Sequence, residues 1–174
     1  MKYLVKFFVV TFFLLICTHT FAEQKIVVLD LKFVLNNSKA GKGAQDFLKK
    51  TYEDSTKKFA DMEKALKKEE NDLLAKKTVL TKAEYTIKSD SLRKKVIDYR
   101  SQRRSTLDKI ATQRAQSRDT LIKKIDPILN TYIKENNISL VVDKSYILGG
   151  GANIDITKDI VEKLDKVFPS LNLK

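Results

Sequence analysis

The sequence predicts an α+β fold in which a long antiparallel helical hairpin of coiled-coil type projects from a small β-strand body. No glycine and a single proline lie between Gly43 and Gly149, so nothing in that stretch breaks a helix until late in the chain. Apolar residues inside it recur every seven positions, and short β-rich runs flank it. A sheet this small has open edges and little core of its own. We therefore expect subunits to associate through its strands.

Residues 1–22 have the pattern of a secretory signal peptide. Lys2 and Lys6 form a basic start, an eleven-residue apolar run follows, and a small-x-small motif places cleavage between Ala22 and Glu23. The run is too short to span a bilayer, which needs about 20 residues. The alternative is lipidation of Cys17, which the bulky residue before it disfavours.

Cleavage there would remove the only cysteine, Cys17, and the only histidine, His19. The mature chain, 23–174, would then contain no His, Cys or Trp. A thiolate nucleophile, a histidine base and a His or Cys metal site are thereby excluded. We expect a protein that is exported, that is not an enzyme and that carries no cofactor or metal.

The elements follow in order along the mature chain. Ile26–Leu29 reads as a strand, and a first long helix is expected over 42–77. Thr81 and Glu84 form a capping-box pattern, which predicts a second helix over 82–136. The predicted seam of the first helix is Tyr52, Phe59, Leu66, Leu73 and Leu80, and that of the second includes Tyr85, Leu92, Val96, Tyr99, Leu107, Ile110 and Leu121.

The rest of the chain returns to β-rich sequence. Ile138–Val142 reads as a second strand and Tyr146–Leu148 as a third, and Asp155 or Thr157 is placed to cap a last helix. We therefore divide the mature chain into an arm, 41–136, and an oligomerisation body with a C-terminal helix, 23–40 and 137–174. The predicted association residues are Ile26, Val27, Val28, Leu29, Leu140, Val141 and Val142. An aspartate in place of Val28 or Val141 is expected to disperse the oligomer.

Positive charge is concentrated on the arm, where residues 41–136 carry 24 basic and 15 acidic side chains. Such a field attracts acidic partners or an anionic membrane, although a merely solvated helix face is the plain alternative. Aromatic residues do not interleave with the basic ones, and export argues against nucleic acid as a partner. The densest group is Arg93, Lys94, Lys95, Arg100, Arg103 and Arg104.

Gly149–Gly151 is the only sequence that hints at a phosphate cradle, and it lacks the Lys-Ser/Thr ending of a P-loop. A flexible loop is the better interpretation, so an ATP-driven mechanism is not expected.

The order of these segments resembles the Skp (OmpH) family of periplasmic chaperones of Gram-negative bacteria. The resemblance is carried by Lys25–Asp30, by the charged hairpin, by Ile138–Lys144 with its Leu-Val-Val-Asp sequence, and by Asp155–Ile160 with its Asp-Ile-Thr-x-Asp-Ile sequence. It extends over the whole mature chain, and its two short motifs are its most specific parts.

This resemblance implies a homotrimer whose strands form a β-barrel-like core with three arms around a cavity. It also implies an ATP-independent holdase that keeps unfolded outer-membrane proteins soluble in the periplasm. From their charge, the positive arm tips are expected to attract clients with net negative charge, with anionic lipid or lipopolysaccharide as further partners. Two alternatives stay open on the sequence: a structural or adaptor coiled coil of the envelope, and a basic protein that binds anionic membrane surfaces.

Overall fold

The computed structural model describes residues 24–173. The predicted signal peptide, 1–22, and its cleavage site between Ala22 and Glu23 lie outside these residues. The elements in chain order are strand β1 (Lys25–Leu29), helices α1 (Leu31–Asn37), α2 (Lys39–Ala75) and α3 (Lys82–Glu135), strand β2 (Ile138–Asp143) and helix α4 (Thr157–Val167). Two single turns of 3-10 helix, Lys144–Tyr146 and Ala152–Ile154, lie between β2 and α4.

The two strands form a parallel pair, with Ile26 opposite Leu140 and Val28 opposite Val142. A parallel pair needs a long crossover, and helices α1 to α3 supply it. On its other side β1 is bridged by the segment before α4, where the Ile156 N–H donates to the Val28 carbonyl at 3.0 Å. Within the described chain, the outer edge of β2 has no strand beside it.

Helix α1 is not predicted by the sequence, because seven residues are too few to show a helical period. Its start is fixed by Asp30, whose carboxylate accepts the Phe33 N–H at 2.7 Å. The fully buried Ser38 then ends α1 and caps α2 by accepting the Gly41 N–H at 3.2 Å. A Cβ atom on Gly41 would lie 1.9 Å from the Leu35 carbonyl oxygen, so this close junction requires glycine.

The predicted boundaries of the long helices are close to those observed. Helix α3 begins at the predicted capping box: the Glu84 N–H donates to the Thr81 hydroxyl, and the Thr81 N–H donates to the Glu84 carboxylate at 3.0 Å. Helix α2 begins at Lys39, slightly earlier than predicted.

The predicted third strand at Tyr146–Leu148 is wrong. The Asp143 carboxylate accepts the Ser145 N–H at 2.8 Å and turns the chain into a 3-10 turn directly after β2. The last helix begins at Thr157, close to the predicted position, but its N-cap is Ile156, so the prediction that Asp155 or Thr157 occupies the cap is wrong. The Asp155 carboxylate instead accepts the Thr157 N–H at 2.9 Å from the residue before the cap.

One apolar core lies where the strands, α1 and α4 meet the ends of α2 and α3. Helix α4 packs its apolar side against the last turns of α3, and the Tyr132 hydroxyl donates to the Asp159 carboxylate between them. Among residues 24–173, no helix combines the length and the apolar character needed to cross a bilayer. The buried core consists of Val27, Leu29, Val34, Leu35, Ala40, Leu121, Ile125, Ile138, Ile156, Ile160 and Leu164.

Candidate functional site

The paired helices α2 and α3 extend well beyond this core, which reaches Ala40 on α2 and Leu121 on α3. From Ala40 to the end of α2 the helix is about 50 Å long, at about 1.5 Å per residue. The helices run antiparallel and side by side, because Phe59 contacts Tyr99 and Glu69 binds Lys95. We use the word arm, from here on, for α2, α3 and the turn that joins them.

The seam between the two helices is thinly apolar. Phe59 on α2 and Ile110 on α3 are buried. At the levels of the arm between these two residues, and at many levels farther out, the residues at the seam are half-buried or polar. The Phe59 and Tyr99 rings meet edge to face, with centroids 6.1 Å apart and planes at 73°. The Tyr99 hydroxyl donates to Glu63 at 3.1 Å, and partial burial together with this hydrogen bond raises the pKa of Tyr99.

Two predicted seam residues are misplaced. Tyr52 is 50% exposed, and the half-buried residue at that level is Thr51; on α3, Leu107 is exposed and Thr106 is half-buried instead. The cause is the spacing. The buried residues Leu48 and Phe59 are eleven residues apart, which is three helical turns. This spacing is close to that of a straight α-helix and differs from the seven-residue heptad.

The same eleven-residue spacing separates Tyr99 from Ile110 on α3. Since Phe59 contacts Tyr99, the antiparallel pairing brings these two stretches to the same level of the arm. Between them lies a segment without a buried apolar side chain, which we call the polar window. It consists of Thr51, Ser55, Arg103 and Thr106.

Local hydrogen bonds reinforce the polar character of this window. The Thr51 hydroxyl donates to the Phe47 carbonyl at 2.8 Å, and the Ser55 hydroxyl donates to the Thr51 carbonyl at 2.6 Å. Such bonds to the preceding turn weaken and often bend a helix. We therefore expect the arm to be least stable and most easily bent at this level.

The predicted basic group lies on one stretch of α3, with all six side chains exposed. Half of it is neutralised locally. Lys95 binds both carboxylate oxygens of Glu69, at 2.7 and 2.8 Å, Arg93 lies 2.8 Å from Asp90, and Arg104 lies 3.9 Å from Asp108. Lys94, Arg100 and Arg103 make no ion pair within residues 24–173 and remain available to a partner.

The predicted association residues separate into groups. Val27, Val28 and Leu29 are buried within the chain itself, whereas Ile26 and Leu140 are 46% and 53% exposed and lie side by side on the outer face of the sheet. Burial of Val28 means that the aspartate test at that position would disturb the fold of the single chain. The remaining two predicted residues are half-buried: Val141 and Val142.

Two exposed side chains that the sequence does not single out lie in the loop after β2. Tyr146 and Leu148 are almost fully exposed, directly before the three glycines. Beneath this loop is an open cavity of about 570 Å³, which is lined by Val28, Phe33 and Leu148 among others. The sequence signal for these exposed side chains is the apolar triplet 146–148, which stands next to three glycines. Its β-rich composition led instead to the prediction of a strand.

An ion pair holds the base of this loop. Lys144 lies 2.7 Å from Asp155, whose carboxylate also accepts the Thr157 N–H. Burial opposes ionisation of Asp155, but the hydrogen bonds from Lys144 and Thr157 outweigh it and lower the pKa of Asp155 to about 2. The Thr157 hydroxyl in turn accepts the Asp30 N–H at 2.9 Å, so that β1, β2 and α4 are joined at one corner.

Comparison with known proteins agrees with this architecture. The family described as outer membrane protein (OmpH-like) matches residues 25–164. A Skp-like protein of Pseudomonas aeruginosa is 22% identical over 170 residues, which cover 96% of this chain and 99% of that protein. The crystal structure of a candidate outer membrane chaperone (OmpH-like) from Caulobacter crescentus superposes with a TM-score of 0.80 at 17% identity, covering 90% of this chain and 93% of the other.

The structural match shows a shared fold, and the family match spans most of the chain, from β1 to the last helix. This is the family that the two short motifs and the segment order predict. The chain belongs to the OmpH-like family.

Proposed function

We propose that this protein is an ATP-independent holdase chaperone of the periplasm, which binds unfolded outer-membrane proteins between its arms and prevents their aggregation. The observation that carries the proposal is the arm itself: two long paired helices that extend far beyond the core, with a thinly apolar seam and an exposed, positively charged surface. The Caulobacter protein of the same fold was solved as a candidate outer membrane chaperone, and we extend that role to this chain.

A holdase must accept chains of many sizes, so its binding surfaces need to adapt. The polar window supports this requirement, because little apolar area resists bending between Leu48 and Phe59 on α2 or between Tyr99 and Ile110 on α3. We therefore infer that each arm flexes at this level to widen or narrow the space available to a client.

Binding of many clients is best achieved by many weak contacts that act together. The arm offers the cations Lys94, Arg100 and Arg103, which have no local ion pair among the described residues, and scattered exposed apolar side chains such as Ile97. Unfolded chains with net negative charge are the expected clients. Because the contacts are exposed, salt is expected to weaken them.

Self-association would create the space between arms. We propose a homotrimer in which the unpaired edge of β2 and the exposed side chains of Ile26 and Leu140 meet a neighbouring subunit and build a β-barrel-like core. An open strand edge with apolar neighbours is a ready template for pairing with another chain. Tyr146 and Leu148, which gain nothing from exposure, are the next candidates for this interface.

The proposal places the protein in the periplasm because residues 1–22 have the pattern of a signal peptide. It requires no nucleotide, since the only glycine-rich segment, Gly149–Gly151, lacks the Lys-Ser/Thr of a P-loop.

The test dilutes a urea-unfolded outer-membrane β-barrel protein into buffer that contains the purified mature protein and no nucleotide, and follows light scattering. We expect suppression of aggregation near one trimer per client. A folded control, Leu140→Asp, is expected to lose suppression together with its oligomeric mass. Aggregation of the client at its unassisted rate, with an intact wild-type oligomer, would overturn the holdase function and favour an adaptor that binds a folded partner.

A further inference from the structure

A second open cavity, of about 780 Å³, lies at the base of the arm, where α1 faces the first turns of α2 and the part of α3 beside them. It shares no lining residue with the cavity beneath the loop after β2. Its volume is within the range of about 300–1,000 Å³ that is usual for ligand sites. We call it the basal cavity.

The floor of the basal cavity is apolar. Leu35, Leu48 and Leu121 line it, one from each of the three helices, and all three are buried. Gly41 and Ala44 of α2 also line it and contribute little side-chain volume, which leaves space between α1 and α3. An apolar group that covers this floor gains by leaving water.

Two arginines of α3 stand at the rim of this floor. Arg114 and Arg118 both line the cavity and are four residues apart, so they lie on successive turns of the same helix face. Both are exposed, and neither makes an ion pair within residues 24–173. Arg93 and Arg104 of the same helix, by contrast, lie 2.8 and 3.9 Å from carboxylates of α3.

The other charged groups around the basal cavity leave an excess of positive charge. Lys32 and Lys49 line it as well, and so do the carboxylates of Asp46 and Asp143. Asp143 is already engaged, because its carboxylate accepts the N–H and the hydroxyl of Ser145. Lys49 has only a distant partner, an exposed glutamate of the next turn at 3.9 Å. The cavity therefore favours an anionic ligand with an apolar body.

We propose that the basal cavity binds the C-terminal end of an unfolded polypeptide, with the terminal α-carboxylate on Arg114 and Arg118 and an apolar last side chain on the leucine floor. A guanidinium holds a carboxylate through two parallel hydrogen bonds. The last residue of a chain carries its carboxylate and its side chain on one carbon atom, so both enter one cavity. Inside an extended chain, neighbouring side chains point to opposite sides, so an acidic residue and the apolar residue beside it do not enter together.

This inference deepens the proposed holdase function and rests on it for the nature of the ligand, an unfolded chain. It adds one defined contact to the many weak contacts along the arm. Because the cavity lies at the base of the arm, a client held there by its last residue would continue outward along α2 and α3. Its preceding residues would then lie near the cations that have no local ion pair, Lys94, Arg100 and Arg103.

The probe is a short peptide of glycine and serine residues that ends in phenylalanine with a free carboxylate and carries fluorescein at its N-terminus. Its binding to the mature protein is followed by fluorescence anisotropy. We expect amidation of the carboxylate, or replacement of the phenylalanine by serine, to weaken binding at least about tenfold. An amidated peptide with an aspartate before the phenylalanine keeps the net charge and should bind as weakly as the amidated peptide.

Arg114→Gln/Arg118→Gln changes two exposed side chains, so we expect it to keep the helical circular dichroism signal and the oligomeric mass. Its affinity for the free-acid peptide should fall at least about tenfold. The control Arg93→Gln/Arg104→Gln removes the same charge from the same helix, ~15 Å or more from Arg114 and beyond the Debye length of ~8 Å. It should bind the peptide within about twofold of wild type.

The proposal is overturned by equal affinity for the free-acid and amidated peptides, by no peptide binding at all, or by equal weakening in both arginine variants. A fall in the mass of Arg114→Gln/Arg118→Gln in light scattering would also overturn it and assign the basal cavity to contact between subunits. Aggregation of an unfolded client is measured separately. Peptide binding without suppression of aggregation would overturn the holdase function and leave the chain-end site standing, and suppression without peptide binding would do the reverse.

Discussion

Phe59 of α2 meets Tyr99 of α3 edge to face, with ring centroids 6.1 Å apart, and this contact marks the outer limit of the polar window. Eleven residues inward on each helix lie Leu48 and Ile110, both buried. The arm is thus held by apolar contacts above and below a level at which threonine and serine occupy the seam.

The first prediction concerns the stiffness of this level. In Ser55→Leu/Thr106→Leu, two half-buried polar side chains become apolar, which should stabilise the arm by about 1–2 kcal/mol. We expect slower amide hydrogen exchange over residues 48–59 and 99–110, together with tolerance of a narrower range of client sizes.

The control moves each substitution by one residue, to Thr56→Leu/Ser105→Leu, at two exposed positions beside the seam. Exchange over the same residues should then stay near that of wild type. Equal protection in both double variants would mean that helix propensity, rather than seam packing, limits the stiffness of the arm.

The second prediction uses two glycines of the first turns of α2. A methyl group on Gly41 would meet the Leu35 carbonyl oxygen, and Gly41→Ala is expected to destabilise the protein by about 2–3 kcal/mol. A methyl group on Gly43 meets nothing within 4 Å, so Gly43→Ala should stabilise the helix by about 0.5–1 kcal/mol.

Urea unfolding followed by circular dichroism measures both changes. Because the two substitutions are chemically identical and two residues apart, any general effect of alanine on α2 cancels. Loss of stability in both variants would contradict the tight contact between α1 and α2 at Gly41.

These elements show which features the sequence predicts and why others escape it. The start of α3 is predicted correctly because its signal is local: Thr81 and Glu84 bond to each other's backbone. The seam position of Tyr52 is wrong because heptad and eleven-residue spacings fit that stretch of sequence equally well. Only the packing of α2 against α3, between residues far apart in sequence, decides between them, because it leaves Thr51 half-buried and Tyr52 exposed.

The sequence does not predict which of the proposed association residues stay exposed on the single chain, for a similar reason. The apolar residues of β1 and β2 identify both segments as strands. They do not show which face of the sheet is covered by other elements of the same chain. Helices α1 and α4 bury Val27 and Leu29 from one side, and the loop after β2 turns over Val28. Ile26 and Leu140 stay exposed because nothing in the described chain covers them.

The third prediction concerns acid. The pKa of Asp155 is about 2, below its ordinary value of 3.8, so the folded state binds this proton less readily than the unfolded state. Its contribution to stability is therefore present above pH 3.8 and is lost as the pH falls from 3.8 to about 2. Because a quarter of the side chain is exposed, solvent screens the interaction, and we expect about 1 kcal/mol.

The measurement compares urea unfolding of wild type and Asp155→Asn from neutral pH down through this range. The asparagine still accepts the Thr157 N–H but no longer carries the charge that Lys144 binds. The difference in unfolding free energy should be largest near neutral pH and vanish at the acid end. Asp126→Asn, which changes an exposed carboxylate on α3, serves as the control, and an equal pH dependence of its effect would rule out a specific role for Asp155.

The last prediction separates folding from association at the sheet. Val28 is 4% exposed, so Val28→Asp places an unpaired charge inside the single chain and should unfold it. Leu140 lies half-exposed on the outer face of the same sheet, so Leu140→Asp leaves the core intact and should act only where a second subunit covers that face.

We expect Leu140→Asp to retain the helical circular dichroism signal while its mass in light scattering falls to that of a monomer. The control is Ser139→Asp, which adds the same charge at the neighbouring exposed position of β2. Ser139 has no partner residue on β1, because the register of the sheet is irregular there, and replacing this small polar side chain removes no apolar contact, so the variant should keep the wild-type mass. If Leu140→Asp kept the wild-type mass, the proposed interface would have to lie elsewhere, and Tyr146 and Leu148 would be the next residues to substitute.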